Sequence, residues 1–188
     1  MNIPKWIILS FILCASVLSG CGMFSRERPV VIVSPGDASP HERLAAREIR
    51  RYVYLRSGRL LDIVSDELEL PKRKDIIVVA EKDRPVIRAL ANEAGINTLL
   101  DILLADHYLL KTVMRKKQRI LLVTGDEAGT LYAAYRFAEH LGVRFYLHGD
   151  VIPDSRIVFE LTDLNQDAKP LFEIRGVMPF YDFPGATD

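Results

Sequence analysis

The sequence is poor in cysteine: Cys14 and Cys21 are the only two in 188 residues, and both fall within the first 21 positions. The chain beyond them can hold neither a disulfide framework nor a thiolate metal site. Four histidines (His41, His107, His140 and His148) are scattered without ligand spacing, so no metal and no cofactor is expected. Excess charge of either sign is also lacking, with 25 basic side chains against 25 acidic ones. Nucleic acid is not an expected partner, because its binding is dominated by phosphate neutralisation. No Gly-x-Ser-x-Gly elbow is present to carry a nucleophilic serine. The glycines of Thr124-Gly-Asp-Glu-Ala-Gly-Thr130 lack the Gly-Lys-Ser/Thr ending of a phosphate loop, and Asp126 and Glu127 would repel an anion. A helix cap with a close-packing glycine is the expectation there. Asp182 and Asp188 lie near the end of the chain, and two acids on a terminal stub do not make the cleft that glycoside hydrolysis requires.

What is present begins with an address. Met1 to Gly20 has a short basic start at Lys5 and an apolar run from Trp6 to Val17. That run is shorter than the ~20 residues a membrane-spanning helix needs and has the proportions of a signal peptide. Leu18-Ser19-Gly20-Cys21 follows and resembles the bacterial lipobox. The resemblance implies lipid attachment at Cys21 and a chain held to the membrane of the bacterial envelope by acyl groups. Gly22 after the cysteine leans towards the outer membrane. Residues 1–20 are then a lipoprotein signal peptide and 21–28 a tether.

Beyond the tether, a 49% hydrophobic fraction supports a sizeable core. Pro29 to Ser34 is an apolar, β-branched strand. Ser39-Pro40-His41-Glu42 starts a helix with a capping box and proline at the first helical position; Gly58 ends it. Leu44, Ala45, Ile49, Tyr52, Val53 and Leu55 are expected to face the core, and Arg43, Arg47, Arg50 and Arg51 the solvent. Leu60 to Val64 and Asp75 to Ala80 are further strands, the latter apolar enough to be central. A second helix starts at Asp83-Arg84-Pro85 and stops at Gly95; 96–105 is a short helix or an irregular crossing. Tyr108 to Met114 and Arg119 to Thr124 form a hairpin around the basic turn Arg115-Lys116-Lys117-Gln118, expected simply to be solvated. The helix after it reads as capped by Thr124 with Glu127, apolar along Leu131, Ala134, Tyr135, Ala138 and Leu141, and closed by Gly142. Val143 to Tyr146 and Ile157 to Leu161 are short strands, 163–169 is a polar linker, and Leu171 to Val177 begins another strand. A hairpin mixed with helix-linked strands predicts an α+β, two-layer domain: a mixed β-sheet with helices packed on one face.

Three segments carry a family resemblance. Glu42-x-x-Ala45-Ala46-x-Glu48-Ile49-x-x-Tyr52, then Gly58, is similar to the first helix of the N-terminal domain of bacterial beta-N-acetylhexosaminidases and alpha-glucuronidases. Gly129 to Tyr146 resembles the most recognisable stretch of that domain. Phe172-Glu-Ile-Arg175-Gly176-Val-Met178 resembles the first strand of the catalytic barrel that follows it. Phe145 stands where tryptophan is common in the family, and Leu147-His148-Gly149-Asp150 replaces a proline-glycine turn. The resemblance implies a two-layer domain, called zincin-like for its shape, that carries no metal and no catalytic residue. Residues 29–162 would be that domain, and 163–188 a linker plus the first strand of a missing barrel. Catalytic acid and base would lie in the barrel, which would also bring the glycan substrate. The residues alone favour a surface ion pair for Arg175; by resemblance it matches an arginine that binds sugar hydroxyls. The implied function is a non-catalytic accessory domain of a lipid-anchored glycoside hydrolase in carbohydrate degradation. A stand-alone lipoprotein that binds glycans through Tyr52, Tyr54, Tyr132, Tyr135, Phe145 and Tyr146 is the alternative, and a purely structural envelope lipoprotein a third reading.

Overall fold

The computed structural model describes residues 28–65, 70–172 and 176. Cys21, the signal segment, Arg175, Asp182, Asp188 and most of the strand expected at 171–177 lie outside them.

The centre is a run of parallel strands. β1 (Val30–Ser34) pairs in parallel with β2 (Ile63–Ser65) on one side and β3 (Asp75–Val79) on the other, and β3 with β5 (Gln118–Gly125). β4 (Tyr108–Arg115) forms the expected antiparallel hairpin with β5, and β8 (Asn165–Ala168) closes the edge against β4. The order is β2-β1-β3-β5-β4-β8. The sheet is open and mixed, as the alternation of hairpin and crossover segments predicts. A separate ribbon pairs β6 (Arg144–Tyr146) with β7 (Gly149–Val151).

Two long helices, α1 (Pro40–Ser57) and α4 (Glu127–His140), lie on one face. Their Ala45, Ile49, Val53, Ala134, Phe137 and Ala138 pack on Ile32, Ile77, Val79, Leu121 and Val123. The helices are not confined to that face, which is the one detail of the architecture that differs from the expectation. The intervening residues Val31, Val33, Ile76, Val78, Ile120 and Leu122 point to the other face. There Ile87, Leu90 and Ala91 of α2 (Pro85–Glu93) and Leu100 of α3 (Asn97–Asp101) cover them. Successive side chains alternate faces, so strands buried at every position need cover on both sides. All five residues of β1 and all five of β3 are buried.

Local signals explain the helix ends. Ser39 accepts from Glu42 N–H and the Glu42 carboxylate from Ser39 N–H, with Pro40 at the first helical position. Gly58 takes the left-handed conformation at φ 77 that only glycine adopts freely. The cap of α4 is shifted from the expected one. Thr124 is the penultimate residue of β5, its hydroxyl buried without a hydrogen-bond partner. Asp126 caps instead, because its carboxylate reaches Gly129 N–H at 2.8 Å.

Three other expectations are corrected. Ile157 to Leu161 is not a strand, although Phe159 and Leu161 bury their side chains in the α1–α4 core. The polar stretch read as a linker contains β8, where one face meets solvent and little apolar character is needed. Leu44 and Leu55 are exposed on α1, whereas Arg56 is buried.

Candidate functional site

Open sheets with parallel strands bind ligands in the crevice beyond the strand C-termini, where strand order reverses. Here that point lies between β1, whose crossover leads to β2 on one side, and β3 on the other. The loops that line it are 35–39 and 80–84. The crevice is filled from within. Glu42, fully buried, accepts from Glu81 N–H at 2.8 Å and from Arg84 Nε at 3.0 Å and Nη2 at 2.7 Å, besides Ser39 N–H at 2.7 Å. Arg84 reaches on to Asp37 at 2.8 Å. Burial alone would push the Glu42 carboxyl up. The hydrogen bonds from Arg84, Glu81 and Ser39, with the Arg84 charge, outweigh it and hold the group below the ordinary carboxylate range.

The neighbouring β5–α4 turn is closed as well. A Cβ on Gly129 would stand 2.0 Å from the His107 carbonyl oxygen, and one on Gly125 2.4 Å from the same atom. The second oxygen of Asp126 accepts from Asp106 N–H at 2.8 Å. The bare glycine backbone is therefore covered by a carbonyl and a carboxylate, both hostile to phosphate. Close packing, not anion binding, explains these glycines.

The aromatic residues do not form one platform. Tyr52 is buried, and Phe145 meets the rings of Tyr52 and Tyr135 edge-on at 5.6 and 5.1 Å, the T-shaped geometry of a packed cluster. Tyr52 donates its hydroxyl to Asp150 at 3.0 Å. Burial and that bond push the Tyr52 phenol well above its ordinary range, and the same bond holds Asp150 low. Tyr146 is exposed and stacks on His148 at 5.5 Å with near-parallel planes. Tyr54 and Tyr132 are exposed at the C-terminal end of α1 and the first turns of α4, respectively.

Sequence reasoning missed Arg56, for which no local pattern exists. From the last turn of α1 it donates to the Leu141 carbonyl at 2.7 Å and to the carbonyls of Pro153 and Ser155. It thereby satisfies one acceptor at the C-terminus of α4, where a cation also complements the helix dipole, and ties that end to the 153–155 loop. Among the described residues, no three His, Cys, Asp or Glu side chains converge as a metal site would need, and no helix is long and apolar enough to cross a membrane.

What the fold does arrange is its two ends. The chain enters at Arg28, beside Asp75 and the hairpin tip, at the N-terminal edge of the parallel strands. It leaves after Ala168, which pairs with Tyr108, itself paired with Gly125, at the opposite edge. The eight residues of β5 span that separation, about 23 Å at the usual rise.

These features define an open, mixed α+β domain with a filled crevice, in which Arg28 and Ala168 lie at opposite edges of the sheet. No family model matches the sequence, and no curated protein matches it. Among solved structures, the chain is similar to part of a family GH115 4-O-methyl-alpha-glucuronidase with specificity for decorated arabinogalactans. The match covers 76% of this chain with a TM-score of 0.53 at 20% identity. It spans 18% of that enzyme, so the chain shares its fold with a domain-sized portion of a glycoside hydrolase.

Proposed function

We propose that this chain is the non-catalytic N-terminal accessory domain of a lipid-anchored glycoside hydrolase acting in carbohydrate degradation. In this reading Cys21 carries the acyl groups at the bacterial envelope, on the outer membrane or at the periplasmic face. The domain holds a C-terminal catalytic barrel off the membrane. The barrel supplies the acid, the base and the contact with glycan, with Arg175 on its first strand binding sugar hydroxyls. The observation that carries the reading is that Arg28 and Ala168 lie at opposite edges of a fold similar to part of a glycoside hydrolase. A domain so built separates an N-terminal anchor from a C-terminal partner. The filled crevice supports the non-catalytic part, since the position where such sheets take ligands is occupied by Glu42 and Arg84.

Reading the gene past the codon for Asp188 tests the proposal. A frame continuing for several hundred residues with a pair of acids at barrel strand ends is the expected result. A stop codon at that point, or turnover of aryl glycosides by the 188-residue chain alone, would overturn it. The exposed Tyr146–His148 stack favours one second reading, a stand-alone lipoprotein that binds glycans. Oligosaccharide binding lost on Tyr146→Ala would support that alternative.

A further inference from the structure

The chain is neutral as a whole, yet seven of its 25 cations gather at one edge. At the edge where the chain enters, Lys72, Arg73 and Lys74 of the loop before β3 meet Arg115, Lys116 and Lys117 of the β4–β5 hairpin, all exposed, with Arg28 beside them. The described residues lining the two adjoining hollows include seven cations and two acids, Asp75 and Glu93. Asp75 is buried and also accepts from Arg119 N–H. Asp66, Glu67 and Glu69, outside the described residues, are not in that count. The surface is held together rather than flexibly presented: Gln118 donates its side-chain amide to the carbonyls of Pro71 and Lys74, and Arg28 to the carbonyl of Lys117.

Two of these cations sit at backbone positions that disfavour them. Arg73 has φ 64 and Lys116 φ 59, left-handed conformations where glycine or asparagine would be relaxed.

We infer that this basic edge docks on the anionic phospholipid headgroups of the membrane that holds the chain. The inference rests on the lipid-anchor reading above, because Cys21 precedes Arg28 by seven residues. Fully extended, that tether reaches about 25 Å, so the basic edge stays close to the lipid surface. An acyl anchor combined with a basic patch is a two-signal attachment, and each cation near an anionic surface strengthens it several-fold. Docked this way, the sheet stands with its strands running away from the bilayer and the exit edge facing outward.

The test uses the full chain as the cell makes it, added to vesicles of phosphatidylcholine alone or with 30% phosphatidylglycerol. Flotation reports binding. Lysine acetylation read by mass spectrometry reports orientation, with Lys169 at the exit edge as the internal reference. The expected result is flotation with both vesicle types. Lys116 and Lys117 should be protected relative to Lys169 at least fivefold on the anionic vesicles only, with the protection lost at 500 mM salt. The double variant K116E/K117E should still float with both while Lys72 and Lys74 lose their protection. Flotation with anionic vesicles alone, with the same protection, keeps the docking surface and removes the acyl anchor. Flotation with both but equal labelling overturns the docking surface and keeps the anchor. Flotation with neither overturns both. Protection by soluble polygalacturonate as strong as that by anionic vesicles would reassign the surface to an acidic glycan and overturn the inference.

Discussion

Replacing Glu42 with alanine should be among the most damaging single changes in the domain. The carboxylate is fully buried and receives four hydrogen bonds, two from backbone and two from Arg84. Its removal strands the Glu81 N–H, opens the capping box of α1 and leaves Arg84 with Asp37 alone on an exposed rim. Losing one partner of a buried pair costs about 3–5 kcal/mol. With a urea slope near 2 kcal/mol per molar for a domain of this size, the midpoint should fall by roughly 2 M. Arg84→Met supplies the sign test. In the native chain the folded Glu42 pKa lies below the unfolded one. Its contribution is therefore complete above the unfolded value, about 4.3, and fades as pH falls through the folded value. Without Arg84, only the Glu81 and Ser39 N–H groups oppose burial, so the folded pKa rises from its native position and the variant gains less stability than the native chain as pH climbs. The gap between native and Arg84→Met midpoints, followed by circular dichroism, should thus be small near pH 3 and widen towards pH 7. A pH-independent gap, or a Glu42→Ala shift below about 0.3 M, would refute the reasoning.

Gly129→Ala should lower Tm by about 10 °C, since a Cβ would meet the His107 carbonyl, while Gly95→Ala, facing open space at φ 69, should lower it by about 3 °C. Equal shifts in calorimetry would show that backbone crowding at the β5–α4 turn is not the cause. Arg56→Met should cost about 2–4 kcal/mol and speed amide exchange at Ile157, whose N–H donates to the Arg56 carbonyl; unchanged exchange there would separate the side chain from the 153–157 segment. Spectrophotometric titration should show three of the seven tyrosines ionising late, because burial leads the upward shift of Tyr52, Tyr108 and Tyr135. The folded values exceed the unfolded one, so stability should decline above pH ~10; a single transition for all seven near pH 10 would contradict this.

The sequence by itself determined the elements whose signals are local. Ser39, Pro40 and Glu42 specify a helix start by hydrogen bonds within four residues, Gly58 and Gly142 mark ends because the left-handed turn needs no partner elsewhere, and the apolar runs 30–34 and 75–79 mark central strands. Those same runs call for cover on both faces, which the one-face expectation overlooked, since a strand with no polar side has none to show to water. Tertiary structure alone decided the rest. β8 is polar, and its strand character comes from the unpaired edge of β4. Glu42 acquires Arg84, 42 residues on, and Arg56 acquires carbonyls 85 to 99 residues away, pairings that no short-range pattern encodes. The gathering of Lys72–Lys74 with Arg115–Lys117 was equally invisible: each run reads as an ordinary solvated turn. Strand order, which sets β3 beside both β1 and β5, is what places them on one edge.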